Sequence, residues 1–160
     1  MKKKFDTRCY VLVNMYMMGI QAGIQAAHCV QEINNNVAKY NSKEENPEGF
    51  RLFREWAVWD KTLILLNGGG QDEIMKTHDL FIENAKYRYP YAIFRESQEA
   101  LGSAVTAVGI VLPEYIYNYG KDPVLGEDPG FYLKGYDQCD LTQEEREIAL
   151  HLRKHNLKVG

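Results

Sequence analysis

Gln21, Gln25, His28 and Glu32 follow one another at spacings of four, three and four residues. On a helix of 3.6 residues per turn this lines two amides, an imidazole and a carboxylate along one face. An imidazole takes up a proton near neutrality, a carboxylate orients it, and amides offer paired donors and acceptors to a base edge or a ribose hydroxyl. Ala26, Val30, Ile33 and Val37 line the other side, so the same pattern also describes the wet face of an ordinary amphipathic helix. Position favours chemistry. The row begins just after Tyr10-Val11-Leu12-Val13, a short apolar run suited to a strand buried on both faces. In open α/β sheets ligands gather beyond the carboxyl ends of strands, near helix N-termini. Gly19 and Gly23 bracket the turn between strand and helix.

A second candidate follows the next strand, Lys61 to Leu66. Asn67-Gly68-Gly69-Gly70 feeds a helix expected from about Asp72 to Tyr87, and the backbone around Gly69 has the makings of an anion cradle. Neither a GxGxxG nor a Walker pattern is present, so a plain structural turn stands beside that reading. His78 falls near the core face of this helix, where histidine is more often structural. Tyr91 to Phe94 reads as the third strand and Ala104 to Leu112 as the fourth, joined through the charged run Arg95 to Glu99 and a turn at Leu101-Gly102-Ser103. The expected fold is α/β, with a four-stranded mixed, mainly parallel sheet flanked by helices and followed by an aromatic-rich C-terminal extension. Arg95, Glu96 and Ser103 would then lie near the end of the first strand.

Composition bounds the rest. A chain of 160 residues, 45% hydrophobic and free of low-complexity linkers, fits a single domain over residues 1–160. No apolar run suits a membrane span, and MKKKFDTR lacks the apolar region of a signal peptide, so a cytoplasmic protein is expected. Cys9, Cys29 and Cys139 form no paired framework, and the scattered histidines suggest no metal site; no cofactor is expected. A net charge of −3 argues against a broad basic face for long nucleic acid. Tyr40 to Glu48 reads as a loop, and Asn46-Pro47 as the cap and first position of a helix carrying Phe50, Phe53 and Trp56 onto the sheet. Asn34-Asn35-Asn36 fits the fading end of the helix before it.

The last third is different in kind. Pro113 to Cys139 holds Tyr115, Tyr117, Tyr119, Phe131, Tyr132 and Tyr136, either packing a long loop onto the sheet or an oligomer partner, or closing a lid over a planar ligand. A homo-oligomer is expected. Thr142 and Glu145 have capping-box spacing for a helix running through Asn156.

The order of these motifs resembles the type II peptidyl-tRNA hydrolases. The strand YVLVN, the paired Gln25 and His28, the tryptophan-bearing helix before KTLILL, and FRESQEALGSAVTAVGIVL resemble that family's first strand, its GKxAAQCxHA motif, and its DAGxTQIxPGSxTVLGIG stretch. The resemblance covers Tyr10 to Leu112, a core of residues 9–112 with 113–160 as extension. Gln25 and His28 match the family unchanged. Gln21 stands where the family has lysine, Glu96 where it has aspartate, and Ala100 where it has threonine. Losing the lysine removes a charge-assisted donor for phosphate or a developing oxyanion.

Three functions follow. The first is a catalytically altered relative that binds or sequesters a nucleotide-like small molecule, in the manner of a phage protein capturing a signalling nucleotide, with Gln21, Gln25, His28, Arg95, Glu96, Ser103, Gly69 and Tyr117 as ligand-binding residues. The second is an active hydrolase that grips a tRNA acceptor end and cleaves the peptidyl ester, with His28 and Glu96 catalytic. The third is an oligomeric interaction protein without membrane contact.

Overall fold

Two strands, β1 (Thr7–Val13) and β4 (Val105–Pro113), are apolar enough to be buried on both faces, and they form the centre of the sheet. The computed structural model describes residues 6–39, 47–86, 88–118 and 141–159. β2 (Thr62–Asn67) and β3 (Tyr91–Arg95) complete a four-stranded sheet in the order β2-β1-β4-β3. Of the three neighbouring pairs only β1–β2 is parallel; β4 is antiparallel to both β1 and β3. The sheet is therefore mixed, and the expected mainly parallel arrangement is corrected. The physical reason is chain length: the β3–β4 connection spans only Glu96 to Ala104, whereas a parallel crossover takes a dozen or more residues.

Helices cover both faces. On one lies α1 (Ile20–Lys39), whose Ala22, Ala26, Cys29, Ile33 and Val37 pack with Cys9, Val11, Val13, Ala107 and Val111 of the central strands. Gly109 lets this helix sit close. A Cβ there would meet Cys29 Sγ and Val11 Cγ2 at 3.1 Å and Ile33 Cδ1 at 3.3 Å. Beside it are α2 (Pro47–Glu55), with proline at its first position as expected, and a π-helical turn, Trp56–Asp60, closed by Lys61 in the left-handed region. Phe53 and Trp56 join the same core cluster. The other face is covered by α3 (Gln71–Asn84) and α6 (Gln143–Leu152). Between β3 and β4 lies the short α4 (Gln98–Leu101), and α5 (Glu114–Tyr117) follows β4. Their Ile74, Phe81, Ile116, Ile148 and Leu152 close over Tyr10, Leu12, Leu66 and Ile110.

Local details depart from expectation where a partner decides. Gly19 turns the chain with φ 57°, but Gly23 lies inside α1. The helix also runs through Asn34-Asn35-Asn36 to Lys39, and Asn36 Nδ2 donates to Tyr91 O at 3.1 Å, an anchor on β3 that local propensity does not register. Thr142 and Glu145 form the anticipated capping box, yet α6 stops at Leu152. Beyond it the chain straightens and pairs antiparallel with β2: Asn67 N–H donates to Asn156 O and Lys158 N–H to Leu65 O, both at 2.8 Å. This covers part of the open β2 edge. The expected cap Asn46 and the aromatic stretch 119–140, with Phe131, Tyr132 and Tyr136, lie outside the described residues.

The seam between α3 and α6 holds a titrating group. Thr77 donates its hydroxyl to Glu73 O, so its oxygen accepts from His151 Nε2 at 2.7 Å. Burial, with His155 and Lys154 adding repulsion, pushes the His151 imidazole down to about 4. A histidine lowered in the fold stabilises it fully above the unfolded value of about 6.5, and that contribution is lost as pH falls toward the folded one. His78, lowered in the same direction by burial, adds to the slope. Urea unfolding is expected to show stability rising between pH 4 and 6.5, with His151→Gln flattening the rise by about 1 kcal/mol, a figure discounted for the half-exposed ring.

Candidate functional site

The carboxyl ends of β1, β2 and β3 meet the start of β4 at one edge of the sheet, and the register of β4 breaks there. Phe94 faces Ala107 but Arg95 faces Val105, so Thr106 is the extra residue of a β-bulge. The bulge turns the Thr106 hydroxyl toward α1, the same side as Ala107. Two side chains clamp it in place: Asn14 Nδ2 donates to Val105 O at 3.2 Å, and Val105 N–H donates to Gln71 Oε1 at 2.9 Å.

Gln25 meets this hydroxyl. It belongs to the buried stripe of α1, not to its wet face, with only 2% of its surface exposed. Its Oε1 accepts from Thr106 Oγ1 at 2.6 Å, and its Nε2 donates to Glu96 Oε2 at 3.2 Å. Because an ionised carboxylate only accepts, Glu96 fixes the amide: a flip would set Gln25 Oε1 against Glu96 Oε2 and lose that bond, whereas the Thr106 hydroxyl, donor and acceptor both, serves either orientation. A neutral network thereby props one oxygen of the Glu96 carboxylate, while the other accepts from Ser97 N–H at 3.2 Å. Glu96 itself is half-buried, with lone pairs left over for an incoming donor.

One turn further along α1, His28 is exposed and stacks on Phe94, ring centroids 4.7 Å apart and planes 14° from parallel. Phe94 precedes Glu96 by two residues, so the ring pair and the carboxylate share the α1–β3 seam. Arg95, between Phe94 and Glu96 in the chain, is exposed, and its Nη1 donates to Ser103 O at 2.7 Å. Ser103, at φ 63°, donates its hydroxyl to Gln98 Oε1 at 2.9 Å or accepts from that amide group. Gln21 is exposed on the first turn of α1.

The glycine turn adjoins this edge, since Met15 N–H donates to Gly69 O. Its donors are already engaged: Gly69 N–H gives to Asn67 Oδ1 at 3.0 Å, and Gly70 N–H to Glu73 Oε2 at 2.9 Å. A carboxylate of the chain's own thus caps α3 where an anion would sit. Tyr117 is elsewhere, stacked on Tyr10 with centroids 4.9 Å apart, beyond the opposite end of β4.

The structure therefore joins Gln25 to Glu96, sets His28 one turn along α1 on Phe94, and joins Arg95 to Ser103 in the connection that follows β3, with Gln21 and Gly69 at the margin and Tyr117 apart. Sequence reasoning missed Asn14 and Thr106. The signal for Thr106 was present: it is the lone hydroxyl in the apolar run AVTAVGIVL, and a buried polar side chain requires a partner. Among the described residues no group of three or more metal-ligating side chains gathers, and no helix is long and apolar enough to cross a membrane.

Fold and site together define an α/β protein with a four-stranded mixed sheet and a Thr–Gln–Glu network at the strand ends. Comparison of the sequence with known protein families and with curated proteins finds no match.

Proposed function

We propose that the protein binds a nucleotide-like small molecule along the α1–β3 seam without cleaving it, on a scaffold resembling the type II peptidyl-tRNA hydrolases. The observation that carries this reading is the fixed amide of Gln25, which holds a carboxylate at the mouth of the seam by neutral hydrogen bonds alone. A carboxylate so held accepts from vicinal ribose hydroxyls or from the N–H groups of a base edge. The outer face of the His28–Phe94 pair gives a base a plane to stack on, and Arg95 supplies a cation at the same margin.

Ester hydrolysis fits the site less well. Among the described residues no lysine or arginine pairs with Glu96, and the position where the resemblance puts a lysine is the neutral, exposed Gln21. An oxyanion developing on a carbonyl would find no charged donor on α1 in the place of that lysine. The net charge of −3 likewise suits a small ligand better than an acceptor stem.

Thermal unfolding against the four common nucleosides, their 5′-monophosphates and cyclic dinucleotides tests the reading. At one hundred times the dissociation constant a ligand adds about 2.7 kcal/mol, a rise of several degrees. Glu96→Ala should weaken binding by about 10- to 100-fold, as loss of a charge-assisted hydrogen bond does. His28→Ala should weaken it by about tenfold through lost stacking. An unshifted melting curve with every member of the panel would sink the proposal.

A further inference from the structure

The segment between β1 and the second turn of α1 carries an unusual surface. From Met15 to Ile24 the chain reads MYMMGIQAGI, without a charge in a protein that is 26% charged. Its large apolar side chains point outward: Tyr16 is 77% exposed, Ile20 78% and Met18 63%, with Met15 and Ile24 also exposed. Looseness of the backbone does not account for this. Tyr16 N–H donates to Asn14 Oδ1, Met17 N–H to Asn14 O and Met15 N–H to Gly69 O, all within 3.0 Å, and Ile20 and Ile24 stand one turn apart on α1. The fold thus holds these apolar side chains out in water on an ordered backbone, at the top of the roughly 300–600 Å² that the largest patch on a monomer spans, and patches of that size are often functional.

We infer that this surface is the contact between two copies of the chain, related by a two-fold axis. Its chemistry selects the occupant. Asp72, Glu73, Glu96 and Glu99 lie with Arg95 on the segments at the same end of the sheet, and their excess of negative charge opposes nucleic acid and anionic lipid alike. The patch itself offers nothing to a charged partner. An uncharged apolar surface suits a two-fold contact, in which residue i of one copy meets residue j of the other and j meets i, because no pairing it makes with itself carries a like-charge cost. The five side chains expose on the order of 600 Å² per copy, so two copies would bury about 1,200 Å², the lower bound for a stable interface. The methionines add adaptable packing.

Sedimentation velocity of the full chain from micromolar to hundred-micromolar concentration is the test. Wild-type protein should sediment at the mass of two chains, and Ile20→Glu should raise the dimer dissociation constant at least about 100-fold by burying an unpaired carboxylate. Ile20 is the first residue of α1, where a negative charge favours the helix, so this variant should fold with unchanged melting at low concentration. Tyr16→Asp, in the loop, is the second variant and should act alike. Ile82→Glu, on the exposed side of α3, should leave the dimer intact. A single-chain mass for the wild type throughout, or a dimer indifferent to both Ile20→Glu and Tyr16→Asp, would overturn the inference.

Discussion

Gly109→Val is expected to lower stability by roughly 1–3 kcal/mol and to weaken nucleotide binding, although residue 109 touches no part of the candidate site. The added Cβ alone would lie 3.1 Å from Cys29 Sγ and from Val11 Cγ2, and the two further methyls have nowhere to go but into α1 or β1. β1 is central and paired on both sides, so α1 is the element that yields. Moving α1 away from the sheet lengthens the bond between Gln25 and Thr106 first, because both partners are fixed to opposite sides of that seam. Urea unfolding measures the first effect, and the nucleotide-induced melting shift the second. A variant as stable as the wild type would show that the close seat of α1 is not what holds the site.

The second large effect is electrostatic. Gln25→Glu sets a carboxylate against that of Glu96 across a contact that is 3.2 Å in the native protein, and in a place only 2% exposed. Two such groups cannot both stay ionised without a large penalty, and the variant should lose about 2–4 kcal/mol at pH 7. The loss should shrink toward pH 5 as one carboxyl takes a proton and becomes the donor that Gln25 had been. Exchanging the pair, Gln25→Glu with Glu96→Gln, restores one donor and one carboxylate, and should recover most of the loss at pH 7. Additive losses in the double variant, measured by urea unfolding, would mean that the two side chains do not interact in solution.

Much of this scaffold is legible in the sequence, and the misses have identifiable causes. Continuous apolar runs place β2, β3 and β4 within a residue of their ends, while β1 starts three residues before the apolar run that marks it, at Thr7. They carry no direction, however: β4 is buried at every position because helices cover both faces, which reads the same whether its neighbours run parallel or antiparallel. The short span from Glu96 to Ala104 held that information. Gln25 reads as part of a wet row because its type and spacing match Gln21 and His28. Its burial depends on a bulge in a strand eighty residues later, which no local pattern announces. The C-terminal pairing with β2 is likewise a tertiary contact: Arg153-Lys154-His155 suits a helix end, and the isolated bridge that follows, Leu157 to Leu66, forms on the open edge of β2. The glycine turn shows the reverse case. Its sequence permits an anion cradle, and Glu73, three residues beyond Gly70, supplies the anion from within.

The central claim is that the propped carboxylate of Glu96 receives a nucleotide and leaves it whole. Titration calorimetry of the full chain with the nucleotide that shifts melting most, followed by chromatography of the recovered ligand, tests it directly. The account predicts one binding event per chain, lost or weakened by about 10- to 100-fold in Glu96→Ala, with the nucleotide recovered intact. No heat of binding up to millimolar nucleotide would contradict it. So would cleavage of an N-blocked aminoacyl-tRNA ester by the wild type that His28→Ala abolishes, which would return the site to hydrolysis despite its missing lysine.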